Sequence, residues 1–101
     1  MTATYDFTGK SGIITGAANG IGRETALLLA RSNAALVLVD RDKTNLDLTA
    51  EACSELGSNP PISIHADMSK PENIRTMVDT AMDQCGAIDF LVASAGIIYR
   101  T

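Results

Sequence analysis

The sequence predicts an α/β fold, a doubly wound parallel sheet built as β-α-β-α-β-α-β and ending after the fourth strand. Three observations lead to it. Short apolar runs at residues 12–14, 34–39, 62–65 and 88–92 alternate with longer segments whose apolar residues recur at helical spacing. The second run, Ala-Ala-Leu-Val-Leu-Val, is apolar without alternation, as in a strand covered on both faces. The connections are short, so right-handed crossovers place helices on both faces and order the strands 3-2-1-4.

Each element has its own signals. Strand one spans residues 11–15 and breaks into a glycine loop, Gly16-Ala17-Ala18-Asn19-Gly20-Ile21-Gly22. Helix one covers residues 23–32, with Ile21, Ala26, Leu28, Leu29 and Ala30 on the buried side. Strand two, residues 34–39, ends in Asp40-Arg41-Asp42. Helix two, residues 42–56, buries Leu46, Ala50, Cys53 and Leu56 and stops at Gly57. Ser58-Asn59-Pro60-Pro61 is the strongest breaker in the chain, and strand three follows at residues 62–65. Helix three is marked by Ser69 as cap, Pro71 in the first turn and Glu72 three residues after the cap, with a stripe of Ile74, Met77, Val78, Ala81, Met82 and Cys85. Strand four, residues 88–92, leads into Ala93-Ser94-Ala95-Gly96. Its outer edge is expected to be unpaired, and such an edge invites self-association.

The totals narrow the function classes. In 101 residues, 46% apolar and 20% charged, there is room for one folded domain, residues 1–101, with a small core. The net charge of −4, with Lys and Arg scattered singly, argues against nucleic-acid or membrane-surface binding by bulk electrostatics. The first ten residues lack the apolar core of a secretory signal, and no run approaches membrane-spanning length. Cys53 and Cys85 fall on helices covering opposite faces, so both read as buried thiols and neither as a metal ligand. A reducing cytoplasm is the expected compartment.

The chemistry concentrates at the glycine loop. A strand that breaks into glycines and restarts as a helix lets backbone approach a pyrophosphate, with the helix's first N–H groups and dipole facing the anion. Asp40 lies eighteen residues beyond Gly22, where a carboxylate accepts from both hydroxyls of an adenosine ribose and repels a 2′-phosphate. That favours NAD over NADP, although the Arg41 guanidinium could pair with the extra phosphate. The competing reading of Asp40 is a helix cap, and that of Asp67 is a turn-forming residue. His65, the single histidine, reads as a core or surface residue before it reads as a ligand or base.

The block Phe7-Thr8-Gly9-Lys10, followed by Thr15-Gly16-x-x-x-Gly20-Ile21-Gly22, resembles the classical short-chain dehydrogenase/reductase family, a Rossmann-like fold. The likeness runs from Asp6 to Ile98. It implies that Gly16, Asn19, Gly20, Ile21 and Gly22 line the pyrophosphate, that Asp40 and Arg41 meet the ribose, and that Asp67 and Met68 meet the adenine. Ala95 and Gly96 would allow close approach to the cofactor. The family usually reads Asn-Asn-Ala-Gly after strand four, where this chain has Ala93-Ser94-Ala95-Gly96.

Its catalysis resembles a Ser-Tyr-x-x-x-Lys relay, and neither tyrosine fits: Tyr5 has Gly9 four residues on, and Tyr99 is followed only by Arg100 and Thr101. The resemblance therefore implies the N-terminal, cofactor-binding half of an oxidoreductase acting on an alcohol or carbonyl, as a fragment or truncated reading frame without activity of its own. A non-catalytic NAD-binding protein, or a half-domain completed by a partner, is the alternative. A methyltransferase fragment is disfavoured by the glycine spacing.

Overall fold

In the computed structural model, which describes residues 6–57, 59–93 and 97–99, the chain runs β1 (Ser11–Thr15), α1 (Gly20–Arg31), β2 (Ala35–Asp40), α2 (Lys43–Leu56), β3 (Ile62–His65), α3 (Pro71–Cys85), β4 (Phe90–Ala93) and β5 (Ile97–Tyr99). The sheet order is β3-β2-β1-β4-β5. The first four strands are parallel in the expected 3-2-1-4 order, with Ile13 beside Val37 on one side and Leu91 on the other, and Val39 beside Ile64. This is a Rossmann-like doubly wound sheet.

One expectation is corrected at the sheet edge. A fifth strand follows β4 and pairs with it antiparallel, Leu91 opposite Tyr99 and Ala93 opposite Ile97. The three residues 94–96 that join them are a length that antiparallel pairs commonly use. The outer edge of β4 is therefore not bare, because its free N–H and C=O groups take up the chain that follows.

Successive strand residues point to opposite faces and so build two cores. Ile14, Leu36 and Leu38 pack with Ala26 and Ala30 of α1 and Leu46 and Cys53 of α2. Ile13, Val37 and Val39 pack with Met77 and Ala81 of α3. Cys53 is buried in the first core and Cys85 lies against the second, so the two thiols are on opposite sides of the sheet, as expected, and both are free.

The helix faces differ from the sequence expectation. Helix α1 begins three residues earlier than expected and seats a stripe of small residues, Gly22, Ala26 and Ala30, against the sheet. Leu28 lies about 200° around the helix from Ala26, and it is 52% exposed, while Ile21 is 76% exposed. On α3 the row Met77, Ala81 and Cys85 is inward, while the adjacent row Ile74, Val78 and Met82 faces out. Leu56 is also exposed. Ser69 does not cap α3: the N-cap is Lys70, with no side-chain hydrogen bond, because the turn before it is closed by Asp67, whose Oδ1 accepts the Ser69 N–H at 2.9 Å. Helix α2 is capped by Asp42, whose Oδ1 accepts the Asn45 N–H at 3.2 Å while Asn45 Nδ2 donates to Oδ2 at 2.7 Å.

The start of β1 is tied to β4 twice. Asp89 N–H donates to the Ser11 carbonyl at 2.7 Å, and Ser11 N–H donates to Asp89 Oδ2 at 2.8 Å. Beside them Phe90 meets Phe7 edge-on, with ring centroids 6.1 Å apart, and a Cβ at Gly12 would run into the Phe90 ring. Gly12→Val is expected to displace that ring and to lower stability by about 1–3 kcal/mol, as overpacked cores do, read as a drop in the urea midpoint. The hydrogen bonds from Asn45, with a further one from Asn19, hold the Asp42 carboxyl below its usual 3.8. A lowered folded pKa means that its stabilisation is whole above pH 3.8 and is lost as pH falls through the lower folded value. Asp42→Asn, which still caps but does not titrate, is expected to flatten the acid limb of the urea midpoint plotted against pH.

Candidate dinucleotide-binding site

The glycine loop is held from behind. Gly16 and Gly20 have φ of 68° and 58°, the left-handed conformation that glycine adopts without strain. Between them, Ala17 and Ala18 are buried, and three consecutive loop residues bind the end of β2. Ala17 N–H donates to the Val39 carbonyl at 3.2 Å, Ala18 N–H to Asp40 Oδ2 at 3.0 Å, and Asn19 Nδ2 to Asp42 Oδ2 at 3.3 Å. The Ala18 carbonyl accepts the buried Thr49 hydroxyl of α2 at 3.5 Å, and Arg23 Nη1 donates to the Thr49 hydroxyl oxygen at 3.0 Å. With these groups turned inward, the loop presents its outer side at the start of α1. There the first intrahelical bond is Arg23 N–H to the Asn19 carbonyl, so the N–H groups of Gly20, Ile21 and Gly22 have no acceptor within the helix. A Cβ at Gly20 would meet nothing within 4 Å, so its surroundings are open.

Asp40 closes β2 and is half-buried. Its Oδ1 accepts the Asp42 N–H at 2.9 Å in addition to the Ala18 bond at Oδ2. The capping role that competed for Asp40 falls to Asp42 instead. Two hydrogen bonds leave a carboxylate with further lone pairs to offer. Gly16, Asp40, Arg41, Asp67 and Met68 come together around one cleft of about 280 Å³ at the carboxyl ends of β1, β2 and β3. Asp67 does make a turn: its Oδ1 accepts from Ser69, and hydrogen bonding to Ser69, assisted by the charges of Arg41 and Lys70, holds its carboxyl below the usual range. Asn19 faces a neighbouring groove, beside Arg23 and Asn45. Ala95 and Gly96 lie outside the described residues.

The sequence assigned no part in the site to three residues. Thr49 sits among the helically spaced apolar positions of α2, where nothing distinguishes a hydroxyl that serves the loop. Asp42 was visible only as part of an acidic strand end. His65 was read as a core or surface residue; it is exposed, and its ring Nε2 lies 2.9 Å from the Arg41 carbonyl oxygen. Among the described residues, no group of three His, Cys, Asp or Glu is placed to hold a metal, and no helix is long and apolar enough to cross a membrane.

A glycine loop turned toward a helix start, a carboxylate at the end of the next strand and a flat cleft beyond it suit an extended anionic ligand carrying a sugar. Comparison with known proteins agrees. The family model for short chain dehydrogenases matches residues 10–101. An 11-beta-hydroxysteroid dehydrogenase A from Sesamum indicum is 42% identical over 93 residues, covering 92% of this chain and 27% of that protein. An uncharacterized oxidoreductase of Bacillus subtilis is 35% identical over 88 residues, covering 87% of this chain and 32% of that protein. Among solved structures, carveol dehydrogenase from Mycobacterium avium in complex with NAD superposes with a TM-score of 0.83 at 28% identity, covering 93% of this chain and 38% of that one. An NAD-bound xylitol dehydrogenase gives 0.80 at 33% identity, covering 84% and 32%. The chain thus spans about a third or less of the curated relatives it matches, and with the family model covering residues 10–101 it belongs to the short-chain dehydrogenase family.

Proposed function

We propose that residues 1–101 form the cofactor-binding portion of a single Rossmann-like domain, and that the cofactor is NAD. The observation that carries this reading is the Asp40 carboxylate, set at the mouth of the cleft by the glycine loop it binds. In the proposal the N–H groups at the start of α1, with Gly16, Asn19 and the exposed Ile21, take the pyrophosphate. Asp40, with Arg41 beside it, meets the ribose, while Asp67 and Met68 border the adenine. Ala95 and Gly96 are assigned to the nicotinamide side. The residues fit the group: the space beside Gly20 is open where a side chain would fill it, and the carboxylate disfavours a second phosphate on the ribose.

NAD, when bound, supplies a hydride acceptor. The chain's own contribution is to bind and orient the dinucleotide. Several relatives and solved neighbours are named for hydroxysteroids, carveol and xylitol, which supports an alcohol or carbonyl as the substrate class of a longer parent protein. The Tyr-x-x-x-Lys pair that the family's proton transfer uses does not occur in these 101 residues, so the chain is proposed to bind without turnover. The acidic net charge and single, scattered basic residues support a protein with no nucleic-acid partner, and the two free thiols support a reducing, cytoplasmic compartment.

Isothermal titration of the chain with NAD tests this reading. Binding is expected, with NADP weaker, and Asp40→Ala is expected to weaken NAD about tenfold, the worth of a hydrogen bond to a charged group. An unchanged NAD affinity in Asp40→Ala would remove the ribose assignment. Self-association is proposed through the outer edge of the sheet, which β5 now carries. Light scattering across a chromatographic peak is expected to show a mass rising with concentration, and a constant monomer mass would refute it.

A further inference from the structure

Helix α2 buries a hydroxyl among its inward residues. Leu46, Thr49 and Cys53 form that row, and Thr49 is 0% exposed. Arg23 Nη1 of α1 donates to the Thr49 oxygen at 3.0 Å. With that oxygen accepting and the side chain sealed from solvent, the hydroxyl hydrogen needs an acceptor within the protein. It is the Ala18 carbonyl, 3.5 Å away, a long and therefore modest bond. Arg23, Thr49 and Ala18 form a chain of donors that runs from α1 through α2 into the glycine loop.

The chain matters because of what lies on the other side of Ala18. Its carbonyl faces Thr49, and its N–H donates to Asp40 Oδ2 at 3.0 Å. Ala18 is itself buried, so neither group can turn to water for a partner. A residue has only two soft dihedrals, and holding its carbonyl on one side narrows the directions open to its N–H on the other. The Asp40 carboxylate depends on that N–H. Its Oδ1 is held by the Asp42 N–H at 2.9 Å, and the bond at Oδ2 then sets how the group is turned.

We propose that Thr49 is a positioning residue for ribose recognition: from α2 it holds the Ala18 carbonyl, so that the Ala18 N–H keeps the Asp40 carboxylate turned for the ribose hydroxyls. The proposal rests on the reading of the cleft as a dinucleotide site. It goes further in assigning part of the sugar selectivity to a buried hydroxyl that does not line the cleft.

The test is isothermal titration of the 101-residue chain with ADP and with 2′-deoxy-ADP, which differ only in the ribose 2′-hydroxyl. Wild type, Thr49→Val and Thr49→Ser are compared, each also in an Asp40→Ala background. Wild type is expected to prefer ADP. That preference, the ratio of the two dissociation constants, is expected to fall about threefold in Thr49→Val, the worth of one neutral hydrogen bond. In Thr49→Ser, which keeps the hydroxyl, it is expected to stay near wild type. In the Asp40→Ala background, Thr49→Val is expected to leave the ratio unchanged. A merely structural Thr49 would lower stability or weaken both nucleotides together, without moving the ratio. An unchanged ratio in Thr49→Val, an equal fall in Thr49→Ser, or an equal fall in the Asp40→Ala background overturns the proposal and leaves the NAD reading standing. A wild-type chain that binds the two nucleotides alike overturns the ribose assignment and the proposal with it. One that binds neither ADP nor NAD overturns the whole reading. If Thr49→Val does not fold, Thr49→Ala, which cannot overpack the site, carries the same expected ratio.

Discussion

The structure depends on the fastening of the glycine loop to the end of β2. A loop with two left-handed glycines has little conformational preference of its own, and its shape comes from what it is tied to. Here the ties are the Val39 carbonyl, the Asp40 carboxylate and the Asp42 carboxylate, taken in turn by Ala17, Ala18 and Asn19. Because β1 and β2 are hydrogen-bonded neighbours from Ser11–Ala35 to Thr15–Val39, their ends are brought level. The loop that leaves one strand then lies within reach of the acidic residues that end the other. Small residues are required for this. Ala17 and Ala18 are both buried between the loop and the elements behind it, and larger side chains would hold the loop away from its acceptors.

The same contacts divide the labour of two acidic residues that look equivalent in the sequence. Asp42 is spent on structure, capping α2 through Asn45 and holding Asn19. Asp40 also accepts two hydrogen bonds, from Ala18 and Asp42, but it borders the cleft. Its carboxylate is therefore oriented before any ligand arrives, and fixing it on binding costs little further entropy. In the proposed NAD reading, preorganisation of this kind is what would let one carboxylate discriminate between sugars and sugar phosphates. An unbraced Asp at the same place could rotate away from a phosphate it disfavours.

Most of the fold was legible in the sequence because it rests on patterns of period two and 3.6 and on punctuation by glycine and proline. The strand order, the placing of α2 and α3 on opposite faces, and the stop of α2 at Gly57 all follow from such signals. The departures come from choices that periodicity does not make. Apolar rows such as Ile74, Val78, Met82 and Met77, Ala81, Cys85 are equivalent as patterns, and only the sheet decides which is seated. The cap of α3 depended on whether Asp67 or Ser69 closed the preceding turn, and both residue types form such turns. In the candidate site, glycine spacing and the acidic end of β2 pointed to Gly16 and Asp40, which the fold brings to one cleft. Thr49 left no trace, since it acts through a backbone carbonyl that any sequence would supply.

The two faces of the sheet are covered unequally, and this bears on the apolar row of α3 that remains outside. Two helices seal the first face, and the stripe of Gly22, Ala26 and Ala30 brings α1 close to it. A single helix covers the second, centred on β2 and the adjoining strands by way of Met77 and Ala81. One helix, about 10 Å across, is narrower than a five-stranded sheet whose strands are about 4.8 Å apart. Leu91 of β4 is accordingly only partly buried at the margin of that core. Helix α3 cannot seat both of its apolar rows against so narrow a contact, so the row bearing Ile74, Val78 and Met82 stays in solvent. The cleft escapes this shortage because it forms at the carboxyl ends of β1, β2 and β3, in the half of the sheet where helices lie on both faces.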